Sequence, residues 1–209
     1  MAKPQIIIDA TAKVARTAII GKKYRPLLTG GISKSARRTY LRRCSYVGEY
    51  AIVSEGCDVG ENTILDDFTK LDPDVRVGER CLFIYSAHVC NAAIIGNDCI
   101  IGGFVGDSVR IGDNCRFFGK IVHKQDRPHL PWDDEAAEER AAVIEDNCFV
   151  GFQALIIGPV RLKSSSYVAA GAIVTKDVPA RTVVIGQNCH RPLEDWKGSL
   201  KVSRFFKKR

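Results

Sequence analysis

VGERCLFIYSAHVCNAAIIGNDCIIG, residues 77–102, carries Val77, Phe83, Val89, Ile95 and Ile101 at a constant step of six. Toward the N-terminus the series continues through Leu71, Leu65, Val59, Val53 and Val47, and a second array runs Ile144, Val150, Ile156, Leu162, Val168 and Val174. Ile8, Val14 and Ile20 open the chain on the same step. An amphipathic helix repeats every 3.6 residues and a half-buried strand every two, so neither produces this pattern. A coil of short parallel strands does. Each hexapeptide supplies one strand, one corner and one inward aliphatic side chain, and stacked turns join these into a column that no single unit can bury. The residue after the inward one is Gly at Gly48, Gly60, Gly78, Gly96, Gly102, Gly112 and Gly151. This reading assigns those glycines to the corner conformation that branched residues resist.

The frame is interrupted three times. Between Ile101 and Ile111 the step is ten, which reads as a four-residue bulge at residues 107–110, after which Phe117 restores the count. Residues 123–142, HKQDRPHLPWDDEAAEERAA, contain two Pro and nine charged residues and no repeat, the mark of an ejected loop. Residues 26–46 include SKSARRTYLRRC, which predicts a short basic helix capped by Ser33 and packed outside the coil. The chain then divides into an N-terminal coil (1–25), a basic insertion (26–46), a β-helix (47–122), an ejected loop (123–142), C-terminal turns (143–187) and a basic tail (188–209).

With 209 residues, 45% hydrophobic and 26% charged, the composition is that of a folded globular chain. No apolar run approaches the roughly 20 residues of a membrane helix, and MAKPQIIIDATAK lacks a signal-peptide core, so the expectation is a cytoplasmic protein with no membrane partner. The net charge of +7 divides unevenly: residues 1–45 hold eleven basic and one acidic residue, residues 197–209 hold six basic and none acidic, and the body between carries a net −9. The basic runs at 33–43 and 204–209 lack any reading motif, so nucleic acid is not expected as a partner.

The chain has eight Cys and no CxxC pair. Cys57, Cys81, Cys99, Cys115 and Cys148 each fall four residues after an inward aliphatic, which makes them small core residues of the repeat instead of disulfide or metal partners. Four His are present. His123 takes the frame position after Ile111 and Phe117 and opens the ejected loop. A polar residue that breaks a strong pattern beside a loop marks a functional candidate. His129 lies deeper in the loop, His88 in the strand-like YSAHVCN, and His190 near the end of the array.

The [LIV]-G-x4 repeats, the His-opened loop, and the run IEDNCFVGFQALIIGPVRLKSSSYVAAGAIVTKDVPARTVVIG at 144–186 resemble the hexapeptide-repeat acyltransferases, in particular their sugar O-acetyltransferase and xenobiotic acetyltransferase branch. The resemblance implies an all-β, left-handed parallel β-helix with an ejected loop and short flanking helices. The left hand contravenes the general crossover rule and comes from the resemblance alone. A homotrimer with active sites between subunits is implied as well. So is acetyl-CoA as co-substrate, with no metal, and a small-molecule acceptor whose hydroxyl or amine attacks the thioester directly. The histidine at the loop base matches His123, whose neutral imidazole would serve as general base. Gly151 and Phe152 match the residues bordering pantetheine, Ala170 and Gly171 a close backbone approach, and Thr175 and Lys176 the phosphate contacts. A tight corner explains Ala170 and Gly171 equally well. Asn91 and Trp132 match acceptor-side positions. The sequence departs from the family pattern where Gly186, Gln187, Asn188, Cys189, His190 and Arg191 replace a GNPA-like ending, and in the basic insertion. Two other readings use the same scaffold: a zinc carbonic anhydrase drawing on His88, His123 and His129, and a non-catalytic assembly subunit. The ejected His-bearing loop favours catalysis over the latter.

Overall fold

The computed structural model describes residues 5–23, 37–124 and 140–195. Within them the inward series builds a three-sided parallel coil. Its first face has eight strands, its second ten and its third eight, and consecutive strands pass from face to face. The first face runs through Gln5–Ile8, Arg38–Leu41, Asp58–Val59, Arg76–Val77, Ile94–Ile95, Arg110–Ile111, Val143–Ile144 and Arg161–Leu162. Most strands are two residues long, one facing out and one facing in, so Val59, Val77, Ile95, Ile111, Ile144 and Leu162 stack in register. All are buried, as are Phe83, Ile101 and Phe117 on the second face and Leu71, Val89 and Val105 on the third.

The corners refine the expected role of glycine. The left-handed backbone conformation falls three residues after the inward side chain, at Asn62, Arg80, Asp98, Asn114, Asn147 and Ser165 between the first and second faces. Among the described residues, none of the non-Gly residues with positive φ is β-branched, because two branches at Cβ clash with the backbone in that region. The glycine directly after the inward residue is needed for a different reason. A Cβ on Gly78 would lie 2.7 Å from the Gly96 carbonyl oxygen, and one on Gly60 would overlap the Gly78 carbonyl. Glycine there permits close stacking of turns.

The frame slip after Ile101 also differs from a bulge at residues 107–110. Val105 is the next inward residue, and Ile111 follows at the regular six, so the corner at Gly102 and Gly103 is two residues short. The next turn repeats the shortening: Ile121, four after Phe117, is the buried residue, and His123 stands two beyond it instead of in the inward column. Gly103, at φ 123°, sits so close to the Gly119 carbonyl that no side chain fits.

The basic insertion is not helical in its described part. Arg38–Leu41 pairs with Gln5–Ile8 as a first-face strand, because Thr39 and Leu41 bury themselves in the coil while Arg38 and Tyr40 point outward. Residues 24–36, including the predicted Ser33 cap, lie outside the described residues, as do 125–139 with His129 and Trp132. In sequence, both stretches fall between a third-face strand and the next first-face strand. At the C-terminal end, Thr182–Ile185 adds to the second face and pairs antiparallel with Cys189–Pro192, which covers the parallel edge. A 3-10 turn at Leu193–Asp195 is the only helical element among the described residues, so no flanking α-helix is seen there. Within the basic tail, Cys189–Pro192 forms the last strand of the second face.

Four thiols form a column inside the corner between the first and second faces, where Ser45, Thr63, Cys81, Cys99, Cys115, Cys148 and Ser166 are all buried. Cys81 donates to the Gly96 carbonyl at 3.1 Å, and Cys99 donates to that of Gly112 at 3.1 Å. Cys57 has the same spacing but belongs to the corner between the third and first faces, where burial pushes its thiol up to about 12. The structural reading of these cysteines agrees with their free, buried state.

Candidate functional site

The corner between the third and first faces gathers most of the chemistry. Register along the third face aligns Val89, Val105, Ile121, Ile156 and Val174. Two residues after each stand Asn91, Asp107, His123, Gly158 and Lys176, which therefore hold equivalent positions in five successive turns. His123 is half-buried, directly after the strand Lys120–Val122. Its ring passes over Gly106, with Cδ2 3.8 Å from where a Cβ would sit. Glycine at 106 places no side chain of its own against the imidazole. The Asn91 backbone N–H donates to Asp107 Oδ1 at 2.9 Å, while the Asn91 side-chain oxygen is buried without a hydrogen-bond partner. A buried amide oxygen without a donor is costly and suits a position that meets a ligand.

The other matched residues divide between two corners. Gly151, Phe152, Ala170 and Gly171 lie where the second face meets the third. A Cβ on Gly151 would stand 2.6 Å from the Ala170 nitrogen, and the Gly171 N–H donates to the Phe152 carbonyl at 2.9 Å. Gly171 has φ 68° and open space beyond it, so corner geometry by itself accounts for glycine there. Phe152 is 61% exposed and stacks on Phe118 with ring centroids 4.7 Å apart, a partner the sequence reading missed. Across the third face, Thr175 and Lys176 follow Val174 at the His123 corner. The Thr175 N–H donates to Asn188 Oδ1 at 2.8 Å, and Asn188 Nδ2 donates to the Thr175 hydroxyl at 2.8 Å. Asn188 therefore fixes Thr175 even though the GNPA-like ending is missing.

His88 is not isolated. Its Nε2 lies 2.7 Å from Asp72 Oδ2, and the Lys70 ammonium lies 2.9 Å from Asp72 Oδ1. Burial pushes the Asp72 carboxyl up, but the hydrogen bonds from His88 and Lys70 outweigh it and hold the pKa below the usual range. Phe104 sets its ring edge-on to His88 at 5.2 Å. Among the described residues no three histidines converge, and the carbonic anhydrase reading depends on His129, outside them. A surface groove of about 410 Å³ lies elsewhere, beside Arg42, Asp58, Glu61 and Glu79. Arg42 pairs there with Asp58 at 2.6 Å, and Arg43 pairs with Glu61 at 2.8 Å, so its charges are largely matched internally.

Residues 92–117 and 142–176 match the hexapeptide repeat of succinyl-transferase. The chain carries this repeat over those two stretches, and its coil is a left-handed parallel β-helix. It is 29% identical over 161 residues to the bifunctional protein GlmU of Acetivibrio thermocellus, covering 76% of this chain and 29% of that protein. It is 22% identical over 183 residues to GlmU of Heliobacterium modesticaldum, covering 67% and 40%. The chain thus spans well under half the length of these relatives. Among solved structures, LpxA from Acinetobacter baumannii is similar at a TM-score of 0.50 and 15% identity, covering 92% of this chain and 79% of that one. Among the described residues, no helix is long and apolar enough to cross a membrane.

Proposed function

We propose that this protein is an acyl-CoA-dependent acyltransferase that moves an acetyl group from acetyl-CoA to a hydroxyl or amine of a sugar, nucleotide sugar or antibiotic-like acceptor, with His123 as general base. The observation that carries the proposal is that His123 shares one corner of the coil with Asn91 on one side and Lys176 on the other. The matched hexapeptide repeat of succinyl-transferase supports the reaction class.

In this reaction the imidazole removes a proton as the acceptor oxygen or nitrogen attacks the thioester carbonyl. The C–S bond then breaks, and the imidazolium returns the proton to the departing sulfur, giving acylated acceptor and free CoA. No covalent enzyme intermediate is required. Asn91 is proposed to orient the acceptor through its unpartnered oxygen, with Trp132 as a further contact. Phe152 with Gly151, Ala170 and Gly171 would border the pantetheine arm at one edge of the third face. Thr175 and Lys176 would meet the phosphates at the other edge, Lys as a mobile positive charge.

We further propose a homotrimer acting in the cytoplasm, with each site completed by a neighbouring subunit. The exposed stack of Tyr50, Phe68 and Tyr85, with centroids 5.2 and 5.3 Å apart, gives the corner between the second and third faces an apolar strip that a neighbour would cover. Incubation with acetyl-CoA and a panel of sugars, nucleotide sugars and aminoglycoside or phenicol drugs, with release of free thiol as the readout, tests the activity. Thiol release dependent on one acceptor class supports the proposal, and none across the panel opposes it.

A further inference from the structure

The third face carries a cluster that acyl transfer by His123 does not use. Lys70 and His88 are register partners on adjacent strands, and Asp72 and Cys90 follow the inward Leu71 and Val89. From His88 Nε2 the distances are 2.7 Å to Asp72 Oδ2, 3.3 Å to Lys70 Nζ and 3.9 Å to Cys90 Sγ. One imidazole nitrogen has either a proton or a lone pair. If Nε2 donates to Asp72, it cannot accept from Lys70. If it accepts from Lys70, its lone pair no longer has a proton to share with the carboxylate, which then lies against it without a hydrogen. The ammonium thus serves the carboxylate but cannot satisfy the whole donor set.

A metal cation would engage all three groups. The donor atoms of Asp72, His88 and Cys90 lie within 4.8 Å of one another. Tetrahedral zinc, with bonds of about 2.0 Å to nitrogen or oxygen and about 2.3 Å to sulfur, needs ligand atoms roughly 3.3 to 3.8 Å apart, within reach of small side-chain rotations. One thiolate, one imidazole and one carboxylate suit zinc or cobalt better than magnesium or calcium. The donors come from paired strands, and Phe104 restrains the imidazole, so the site is held by the coil itself. The Lys70 side chain is 38% exposed and that of His88 32%, which gives a cation access from solvent.

We propose that Asp72, His88 and Cys90 bind a zinc-like divalent cation, with Lys70 as a built-in competing charge. This extends beyond acyl transfer and departs from the expectation of a metal-free protein. On binding, the Cys90 thiol gives its proton to solvent, its sulfur bonds the cation, and the Lys70 ammonium swings outward.

Titration of the full chain with cobalt(II) in a Cys44→Ser/Cys189→Ser background tests the site, since those two exposed thiols would otherwise contribute. The expected result is saturation near one cobalt per chain, a thiolate-to-cobalt charge-transfer band, and displacement by zinc. Cys90→Ser should abolish the band, and Lys70→Met should tighten binding by about tenfold or more. No saturable binding, a band that survives Cys90→Ser, or a Lys70→Met protein with unchanged affinity would each overturn the proposal. Should Cys90→Ser fail to fold, Lys70→Met decides alone. None of these readouts depends on acyl transfer.

Discussion

The imidazole of His123 rests against Gly106 of the preceding turn, its Cδ2 3.8 Å from the position of an absent Cβ. That Cβ would also stand 2.9 Å from the Ile121 carbonyl oxygen, so even Ala at 106 must shift the strand that leads into His123. Gly106→Ala should lower acyl-transfer turnover by about tenfold or more, because a misplacement of about 1 Å at a reacting group can cost roughly 10². CoA affinity should stay unchanged. Steady-state kinetics with a separate CoA-binding measurement checks this.

The stacking glycines should be far less tolerant than the corner ones. Gly78→Ala puts a Cβ 2.7 Å from a backbone oxygen of the next turn and should cost about 2 to 4 kcal/mol. Gly171→Ala meets nothing within 4 Å and strains only a φ of 68°, so it should cost about 1 kcal/mol. Denaturant unfolding of both variants gives the comparison.

How far the sequence disclosed this arrangement depended on what each residue type reports. The six-residue step located the inward column, because burial selects aliphatic side chains whatever the corner does. It misplaced the slip after Ile101, where the corner at Gly102 is two residues short, and counting six past Phe117 overlooks a second short corner at Phe118, which makes His123 look inward. The strand Arg38–Leu41 was masked by its outward-facing Arg38 and Tyr40, and a cluster of arginines reads as a helix face as readily as a coil surface. Pairing of Asp72 with His88, sixteen residues apart, runs diagonally between strands in which Lys70 and His88 are the register partners, and the six-residue step reports inward side chains, not which outward ones meet. Asn188 stands two residues after Gly186, one later than the Asn of a GNPA-like ending, so alignment on the glycine hid it.

Accessibility of the thiols gives a direct reading of the coil. Cys44 and Cys189 are exposed and the other six Cys are buried, so an aromatic disulfide reagent should titrate two thiols rapidly in the native protein and eight after unfolding. Rapid reaction of more than two would contradict the thiol column.

Acid should weaken the C-terminal turns through Glu145. The hydrogen bond from Arg161, with the Ser164 contacts, holds its carboxyl below the usual range despite some desolvation. A folded pKa below the unfolded value, about 4.3, stabilises the protein fully above that value, and the contribution disappears as pH falls through the folded pKa. Glu145→Gln should therefore flatten the loss of thermal stability below about pH 4.3 and leave the stability of the acid-protonated state nearly unchanged.

The account rests most heavily on His123 as the base. Acceptor-dependent thiol release by His123→Ala, measured beside its circular dichroism and CoA affinity, tests this directly. Turnover should fall by at least about 10² with fold and CoA binding preserved. Turnover equal to that of the unaltered protein would contradict the assignment.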